Sequence, residues 1–307
     1  VDAAVTNAGT TVLEVLEKSP GVMVDRNGGL SLMGKTGVLV LIDDKQTYLS
    51  GAELNNLLSG MSSNQVDQIE LITNPSAKYD ASGNAGIINI KTKKNKQKGF
   101  NGTLTNSLGQ GVYVKSNNSL VLNYRNGRFN TFLTYSSNYN ESFIKIYALR
   151  EYFNAQDQVD AGLDQLWTLI NSSFNNTLKT GLDYSISDKT TLGFALTGIT
   201  SPRKGRGTAY ANWENPQGMV DSTIETNSTS KARFKTGGLN LYAKHSFSKK
   251  QQLSVDFDWL SYNINNEQFF NNTLVANGGY NEGTRGFLPS TLEISSLKID
   301  HSLQIGE

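Results

Sequence analysis

The 307-residue chain carries 28 basic and 27 acidic residues, a formal net charge of +1, and no cysteine. That balance argues against nucleic acid, whose recognition needs a basic patch, and the missing cysteines exclude a disulfide framework and a thiolate metal site. The longest apolar run, Val38 to Ile42, falls far short of the roughly 20 residues of a membrane helix. Barrel strands need only about 10 residues with one apolar face, so a mean hydropathy of -0.39 is compatible with them.

Residues 9 to 95 mix helical and strand patterns. Thr11-Val12-Leu13-Glu14 fits a capping box, in which a hydroxyl and a glutamate satisfy the free amides of a helix start. Val12, Val15 and Leu16 share the face that follows, and Pro20-Gly21 stops the helix. Val22 to Val24 reads as a strand, Asn27-Gly28-Gly29 as a turn, and Leu30-Ser31-Leu32 and Val38 to Ile42 as further strands. Ser50 to Glu53 repeats the capping-box pattern ahead of Leu54, Leu57, Leu58 and Met61 at helical spacing. Ile69 begins an apolar strand that ends at Asn74-Pro75. After a Gly-rich turn comes a second strand, Gly86-Ile87-Ile88-Asn89-Ile90, closed by lysines.

After Lys98 the period becomes two. Leu178, Thr180, Leu182, Tyr184 and Ile186 oppose Lys179, Gly181, Asp183 and Ser185. The alternation recurs at Leu192, Phe194 and Leu196, at Leu239, Leu241 and Ala243, at Leu253, Val255, Phe257 and Trp259, and at Leu297 and Ile299. Eight strands are expected, at about 99–110, 113–125, 128–143, 165–186, 190–200, 232–247, 252–268 and 291–305. Arg125 to Arg128, Ser185 to Lys189 and Phe247 to Lys250 are tight polar turns. Residues 141–163, 200–231 and 271–290 lack a clear period and read as long loops. Short turns on one side and long loops on the other characterise outer-membrane barrels. A soluble β-sandwich also alternates, but its strands are shorter and carry fewer charges on the polar face.

Gly29 to Thr36 matches the phosphate-binding pattern G-x-x-x-x-G-K-[ST]. A working loop of that kind opens a helix, whereas here Gly37 to Ile42 continues as a strand, so a hairpin is expected. His245 and His301, the only two histidines, fall on the apolar face and read as membrane-interface residues rather than metal ligands. Asp160, Gly162 and Asp164 lack the spacing of a calcium loop. Asp183, Asp256, Asp258 and Asp300, with Lys179, Lys244 and Lys298, should line the polar face, against a ligand, an inner domain or water. No catalytic constellation is present and no cofactor is expected.

Several blocks resemble, in order, the plug domain of TonB-dependent outer-membrane receptors. VLEVLEKSPGVMV (12–24) resembles the opening helix and "PGV" strand. GLSLMGKTGVLVLIDD (29–44) resembles the "I-R-G…V-L-V-L-I-D-G" block, and Ile69-Glu70 the "I-E-V" strand. NPSAKYDASGNAGIINIKTKK (74–94) resembles "G-P-S-A-x-Y-G…G-G-x-I-N-I-x-T-K-K". The matching positions are Pro20, Gly21, Gly34, Asp43, Ile69, Glu70, Pro75, Tyr79, Gly86, Ile88 and Asn89, and the resemblance implies structural rather than catalytic roles for them. Met33 stands where the family has Arg, Asp44 where it has Gly, and Asn74 and Asp80 also replace glycines. The missing Arg puts the family's usual buried ionic contact between plug and barrel in doubt.

The resemblance implies an α/β plug domain (9–95) followed by an antiparallel transmembrane β-barrel segment (96–307), about eight strands of a larger plugged barrel. Eight strands make a barrel filled by its own side chains, whereas plugged transporters have about 22. An open sheet would also leave unpaired edges in lipid. The chain is therefore expected to be the N-terminal portion of a larger receptor. No TonB box or signal peptide precedes Val12, and no terminal aromatic closes the sequence. The implied activity is energy-coupled import of a siderophore, cobalamin, glycan or peptide across the outer membrane. The implied partners are a TonB-type complex, the ligand and outer-membrane lipid, and a surface lipoprotein is left open. A non-transporting scaffold or signalling receptor and a soluble surface β-protein are the alternatives.

Overall fold

The computed structural model describes residues 10–25, 29–47, 49, 51–75, 85–93, 98–248, 250–276 and 278–303. The N-terminal unit begins with helix α1 (Val12–Glu17). Its capping box forms as the sequence predicts: Glu14 N–H donates to Thr11 Oγ1 at 3.3 Å, and Thr11 N–H donates to Glu14 Oε2 at 3.0 Å. Strands β1 (Val22–Val24), β2 (Leu30–Leu32) and β3 (Lys35–Thr36) form one small antiparallel sheet. The phosphate-loop match is thus a hairpin, turning through Met33 and Gly34 with φ of 51° and 79°. Strands β4 (Leu39–Ile42), β5 (Lys45–Gln46), β6 (Val66–Ile72) and β7 (Ile87–Thr92) make a second sheet of order β5-β4-β7-β6, with β4 and β7 parallel. Helix α2 (Gly51–Gly60) packs on α1. The Ser50–Glu53 capping box, part of the Asn27 turn, and Tyr79 and Asp80 lie outside the described residues.

Eight antiparallel strands follow: β8 (Gly99–Gln110), β9 (Val114–Asn126), β10 (Phe129–Phe153), β11 (Val159–Ser187), β12 (Thr190–Glu214), β13 (Val220–Ser248), β14 (Gln251–Val275) and β15 (Asn281–Leu303). They pair strictly with their sequence neighbours, and β8 and β15 are the two edges of an open sheet. The number of strands and their starts near the short turns agree with the period-two reading.

The long loops do not. Residues 141–153, 159–163, 200–214, 220–231, 271–275 and 281–290 continue the ladders, with the connections reduced to short turns at 154–158, 215–219 and 276–280. A 25-residue strand such as β10 or β12 extends roughly 80 Å, well beyond a hydrocarbon layer of about 30 Å. Outside such a layer both faces of a sheet are wet. The side-chain alternation then fades while the backbone hydrogen bonds persist, and those bonds leave no sequence pattern.

Two of the distant turns share one construction. Asn154 Oδ1 accepts from the amides of Gln156 and Gln158, and Asn215 Oδ1 accepts from those of Gln217 and Met219, each at 3.0 Å. Asp157 and Gly218 supply the left-handed residue, with φ of 62° and 76°. Asparagine favours such positions because its side chain mimics a backbone acceptor.

One break in the ladder has a covalent cause. Apart from a register shift between Ser185 and Ser187 beside the short turn, pairing of β11 with β12 is interrupted between Ser173/Arg203 and Asn176/Thr200. Pro202 lies in the gap and has no N–H to donate.

One apolar cluster joins the two parts. Val12, Leu16, Leu32, Leu58, Ile88 and Ile90 of the N-terminal unit meet Ile199, Phe234 and Tyr262 of the sheet. Phe234 is 2% exposed. The residues predicted to be outward are about half exposed: Leu178, Leu192, Leu196, Leu241, Phe257 and Trp259 among them. Along β11 this band runs from Leu178 to Ile186, roughly 26 Å, close to the apolar height of outer-membrane barrels, about 25 Å. Among the described residues no helix is long and apolar enough to cross a membrane, which says nothing of strands.

Candidate functional site: the interface between the α/β unit and the sheet

The face opposite the apolar band is polar and receives the α/β unit. Its chemistry centres on the β4–β5 turn. Asp43 and Asp44 both adopt left-handed backbone, with φ of 52° and 68°. Two consecutive left-handed residues make the tight hairpin turn that suits strand twist, a position that favours Gly, Asn or Asp. The turn aims the two carboxylates in different directions. Asp43 accepts from the Thr92 amide and hydroxyl at 2.8 and 2.7 Å. It then meets Lys179 Nζ of β11 at 2.6 Å. Burial is the largest single influence on this carboxyl and pushes it up. The charge and hydrogen bond of Lys179, joined by the two Thr92 bonds, outweigh it and leave the group below the usual carboxylate range.

Asp44 lies along the small sheet, its side chain half exposed. Asn89, completely buried, donates from Nδ2 to Asp44 Oδ1 and to Glu70 Oε2, both at 2.8 Å, and accepts from the Asp44 amide at 3.2 Å. Lys91 Nζ reaches Asp44 at 2.5 Å and Glu70 at 3.9 Å. Burial opposes the Lys91 charge, but Asp44 and the neighbouring carboxylates hold its proton above the usual lysine range. Of the positions named from the sequence, Glu70 and Asn89 share one network with Asp44, and Asp43, the neighbouring residue of the turn, binds Thr92 and Lys179 instead.

Lys45, the next residue in the hairpin, crosses to β14 and bridges Asp256 at 3.1 Å and Asp258 at 3.3 Å. The opposite charges predicted for the inner face therefore have specific partners on the α/β unit. Lys179 takes an acidic residue of the turn, and the Asp256/Asp258 pair takes its basic one. Asp183 is bound within the sheet instead, by Asn130 Nδ2 at 3.1 Å and by the Tyr242 hydroxyl. Tyr242 reaches it across Gly193, where an added Cβ would stand 2.4 Å from the tyrosine ring. Lys298 pairs with Asp300 on its own strand at 3.1 Å.

A second docking point lies at the C-terminal end of α2. The Gly60 carbonyl accepts from Ser136 Oγ and Asn138 Nδ2, both at 3.0 Å, and from Thr177 Oγ1 at 3.3 Å. Helix carbonyls at this end have no partner inside the helix. Glycine permits the approach, since a Cβ here would already lie 3.3 Å from Asn175 Cβ. Asn117 Nδ2 donates to the Thr10 carbonyl at 2.8 Å, and the Tyr262 hydroxyl donates to that of Thr47 at 2.8 Å.

The remaining predicted positions are structural. Gly21 (φ 78°) leaves room for the Met33 side chain, and Met33 N–H donates to its carbonyl at 2.7 Å. Gly34 completes that turn. Gly86 (φ 124°) sits where a Cβ would press on Leu32 and the Ile72 carbonyl. Ile88 is completely buried, and Pro20, Ile69 and Pro75 are at the margin of the unit. Met33 is 61% exposed and carries no charge, and among the described residues the charged contacts between the unit and the sheet come from the Asp43–Lys45 turn. Sequence reading missed Lys45, Thr92 and the Gly60 carbonyl. Lys45 follows two aspartates in a turn, which was a signal, whereas a backbone carbonyl leaves none. Among the described residues no three potential metal ligands cluster, and His245 and His301 contact Thr190 and Gln251 instead.

No family model and no curated protein sequence matches the chain. Solved structures do. A variant of the ferric enterobactin receptor of Pseudomonas aeruginosa in complex with enterobactin aligns with a TM-score of 0.47 and 12% identity, over 96% of this chain and 58% of that one. The alcaligin outer-membrane receptor of Bordetella pertussis aligns with 0.38 and 13%, over 99% and 59%. The ferric yersiniabactin uptake receptor of Yersinia pestis gives 0.37 and 11%, over 96% and 60%. The chain spans about three fifths of the length of these structures.

Proposed function

We propose that this chain is the plug and first barrel strands of an outer-membrane receptor that imports a ligand in a TonB-dependent manner, with residues 9–95 as the plug and 96–307 as barrel. One observation carries this reading: an α/β unit is held by ions and buried apolar contacts on the polar face of a sheet whose other face is an exposed apolar band. A soluble protein gains nothing from leaving Leu178, Leu196, Phe257 and Trp259 in water; in a bilayer that band is the stable outward surface. The ordered blocks that resemble plug domains support the same reading.

In this reading the short turns face the periplasm and the long hairpins rise on the extracellular side. The plug positions act by shape and hydrogen bonding, and no bond in the ligand is made or broken. A periplasmic TonB-type complex would pull on the plug, and the contacts that must yield are those of Asp43, Lys45 and Gly60. The ligand class follows only from the resemblance: a siderophore, cobalamin, glycan or peptide, with or without a surface lipoprotein.

The test is energised uptake. Cells making the natural protein should accumulate a labelled ligand, and deletion of the partner complex should abolish accumulation but not surface binding. Ligand binding with no uptake in either strain would favour a signalling receptor. Release of the protein by carbonate without detergent would exclude the membrane reading.

A further inference from the structure

The inner face of the sheet changes character above the α/β unit. Where the unit docks, that face is rich in charge: Lys179, Asp183, Asp256 and Asp258. Higher up, the unshifted register of β10–β14 carries the same face onward by alternation. One inward row passes through Ser142, Asn171, Gly205, Ser230 and Gln268. The next three pass through Leu169, Trp167 and Gln165 of β11. On β10–β14 none of these four rows holds an ionisable side chain. The outward side of the same stretch does, with Glu141, Lys145, Lys204, Arg206 and Glu267. The nearest inward charges border the rows: Arg203 and Lys115 below, Arg150 above and Glu282 on the β15 edge.

Two glycines of β12 form the floor of this neutral wall. A Cβ on Gly207 would stand 3.1 Å from Trp167 Nε1 and 3.4 Å from Leu169 Cδ1, and would strike the Ser228 hydroxyl. The Trp167 indole therefore leans across β12 instead of standing away from the sheet. A Cβ on Gly205 would stand 2.8 Å from Asn171 Oδ1 and would strike the Ser230 hydroxyl. An amide and a hydroxyl thus converge beside the indole. Trp167 remains 36% exposed. Among the described residues its ring N–H, the Asn171 amide and the Ser230 hydroxyl have no hydrogen-bond partner.

An aromatic face flanked by groups that both donate and accept complements a neutral ring with hydroxyls on its rim and C–H bonds on its faces. An anionic chelate or a phosphorylated ligand would meet no converging cations in these rows, and leaving its charge unpaired there is costly. We propose that this wall is a binding site for a neutral saccharide. One sugar ring stacks on Trp167 over Gly207, and its hydroxyls bond Asn171, Ser230 and Gln268. The inference rests on the importer reading above and narrows its ligand class.

The experiment uses the natural full-length protein in detergent. Its probes are immobilised neutral oligosaccharides of hexoses, pentoses and N-acetylhexosamines, beside uronate and sulfated oligosaccharides and a ferric catecholate. A neutral oligosaccharide should be retained, with an affinity unchanged between about 50 mM and 1 M salt. Trp167→Ala should weaken it about tenfold, and Trp167→Phe, which keeps a ring, by less. Gly207→Val should weaken it as well, by pushing the indole off its floor while the tryptophan is still present. Trp259→Phe, on the outward band, should change nothing. Heat-modified electrophoretic mobility shows that each variant is folded. Retention of no neutral oligosaccharide, preference for a charged probe, or affinity untouched by both Trp167→Ala and Gly207→Val overturns the proposal. Carbonate release of the protein would sink the membrane reading. Partner-dependent uptake of a charged ligand would leave the importer reading standing and sink this inference alone.

Discussion

Lys179 of β11 and Asp43 of the β4–β5 turn are 136 positions apart in sequence and meet at 2.6 Å, with the aspartate also anchored by Thr92. Among the described residues the pair is the most buried charged contact between the α/β unit and the sheet, with side chains 26% and 13% exposed. Removing one partner strands the other, which costs more than the pair itself contributes. Lys179→Met should lower stability by about 2–3 kcal/mol. Adding Asp43→Asn should recover part of that loss, and a double-mutant cycle on the thermal midpoint in detergent checks it. Additive losses would mean the two side chains are not coupled.

The pH dependence of this contact has a definite sign. Asp43 titrates below its ordinary value, about 4, because Lys179 and Thr92 overcome the upward push of burial. A depressed carboxyl contributes stability above the unfolded value and loses it as pH falls through the folded one. Attachment of the α/β unit should therefore be constant from neutral pH to about 5 and loosen only below about 4. Hydrogen exchange at residues 39–46 reads this directly. The same loosening in Lys179→Met would assign the acid response to another group.

Asp44 makes two opposing contributions. Its left-handed backbone, φ 68°, costs about 1 kcal/mol relative to glycine. Its carboxylate satisfies the completely buried Asn89. Asp44→Gly should relieve the strain and remove one of the two acceptors of the Asn89 Nδ2, Glu70 keeping the other, so the net loss should be small, under about 1 kcal/mol. Asp44→Ala keeps the strain and loses the acceptor, and should cost about 1–2 kcal/mol. Denaturant midpoints should rank wild type, glycine, alanine; alanine equal to glycine would remove the backbone argument.

Gly193 and Tyr242 form a steric pair on β12 and β13. The tyrosine ring lies where a Cβ on Gly193 would be, and this lets its hydroxyl reach Asp183 two strands away. Gly193→Val should displace the ring and cost about 2–3 kcal/mol. Tyr242→Phe removes only the hydrogen bond and should cost about 1 kcal/mol, since Asn130 still serves Asp183. Heat-modified electrophoretic mobility and melting curves distinguish the two. A valine variant as stable as the phenylalanine one would show that the ring can lie elsewhere.

Much of the architecture could be read from residues near one another in the chain. The Thr11–Glu14 box, the stop at Pro20-Gly21 and the hairpin at Met33-Gly34 are local events, set by capping, by φ preference and by a following strand. The eight strands were visible because Leu178 to Ile186 and its counterparts alternate between apolar and polar surroundings. Where that contrast ends, the strands became invisible. Residues 200–231 read as a loop because, beyond the apolar band, neither face of β12 or β13 demands a hydrophobic residue.

The charges show the same division. Alternation alone placed Lys179, Asp183, Asp256 and Asp258 on one face. Their partners were decided by tertiary structure, since Asp43 and Lys45 reach them only through a hairpin whose two left-handed aspartates aim consecutive side chains at different strands. The meeting of Trp167 with Gly207 and Ser228 was likewise unseen, because the last two sit in a region without period. Local physics determined the elements and the face of each side chain in the apolar band; register, which brings distant residues within hydrogen-bond reach, decided which of them meet.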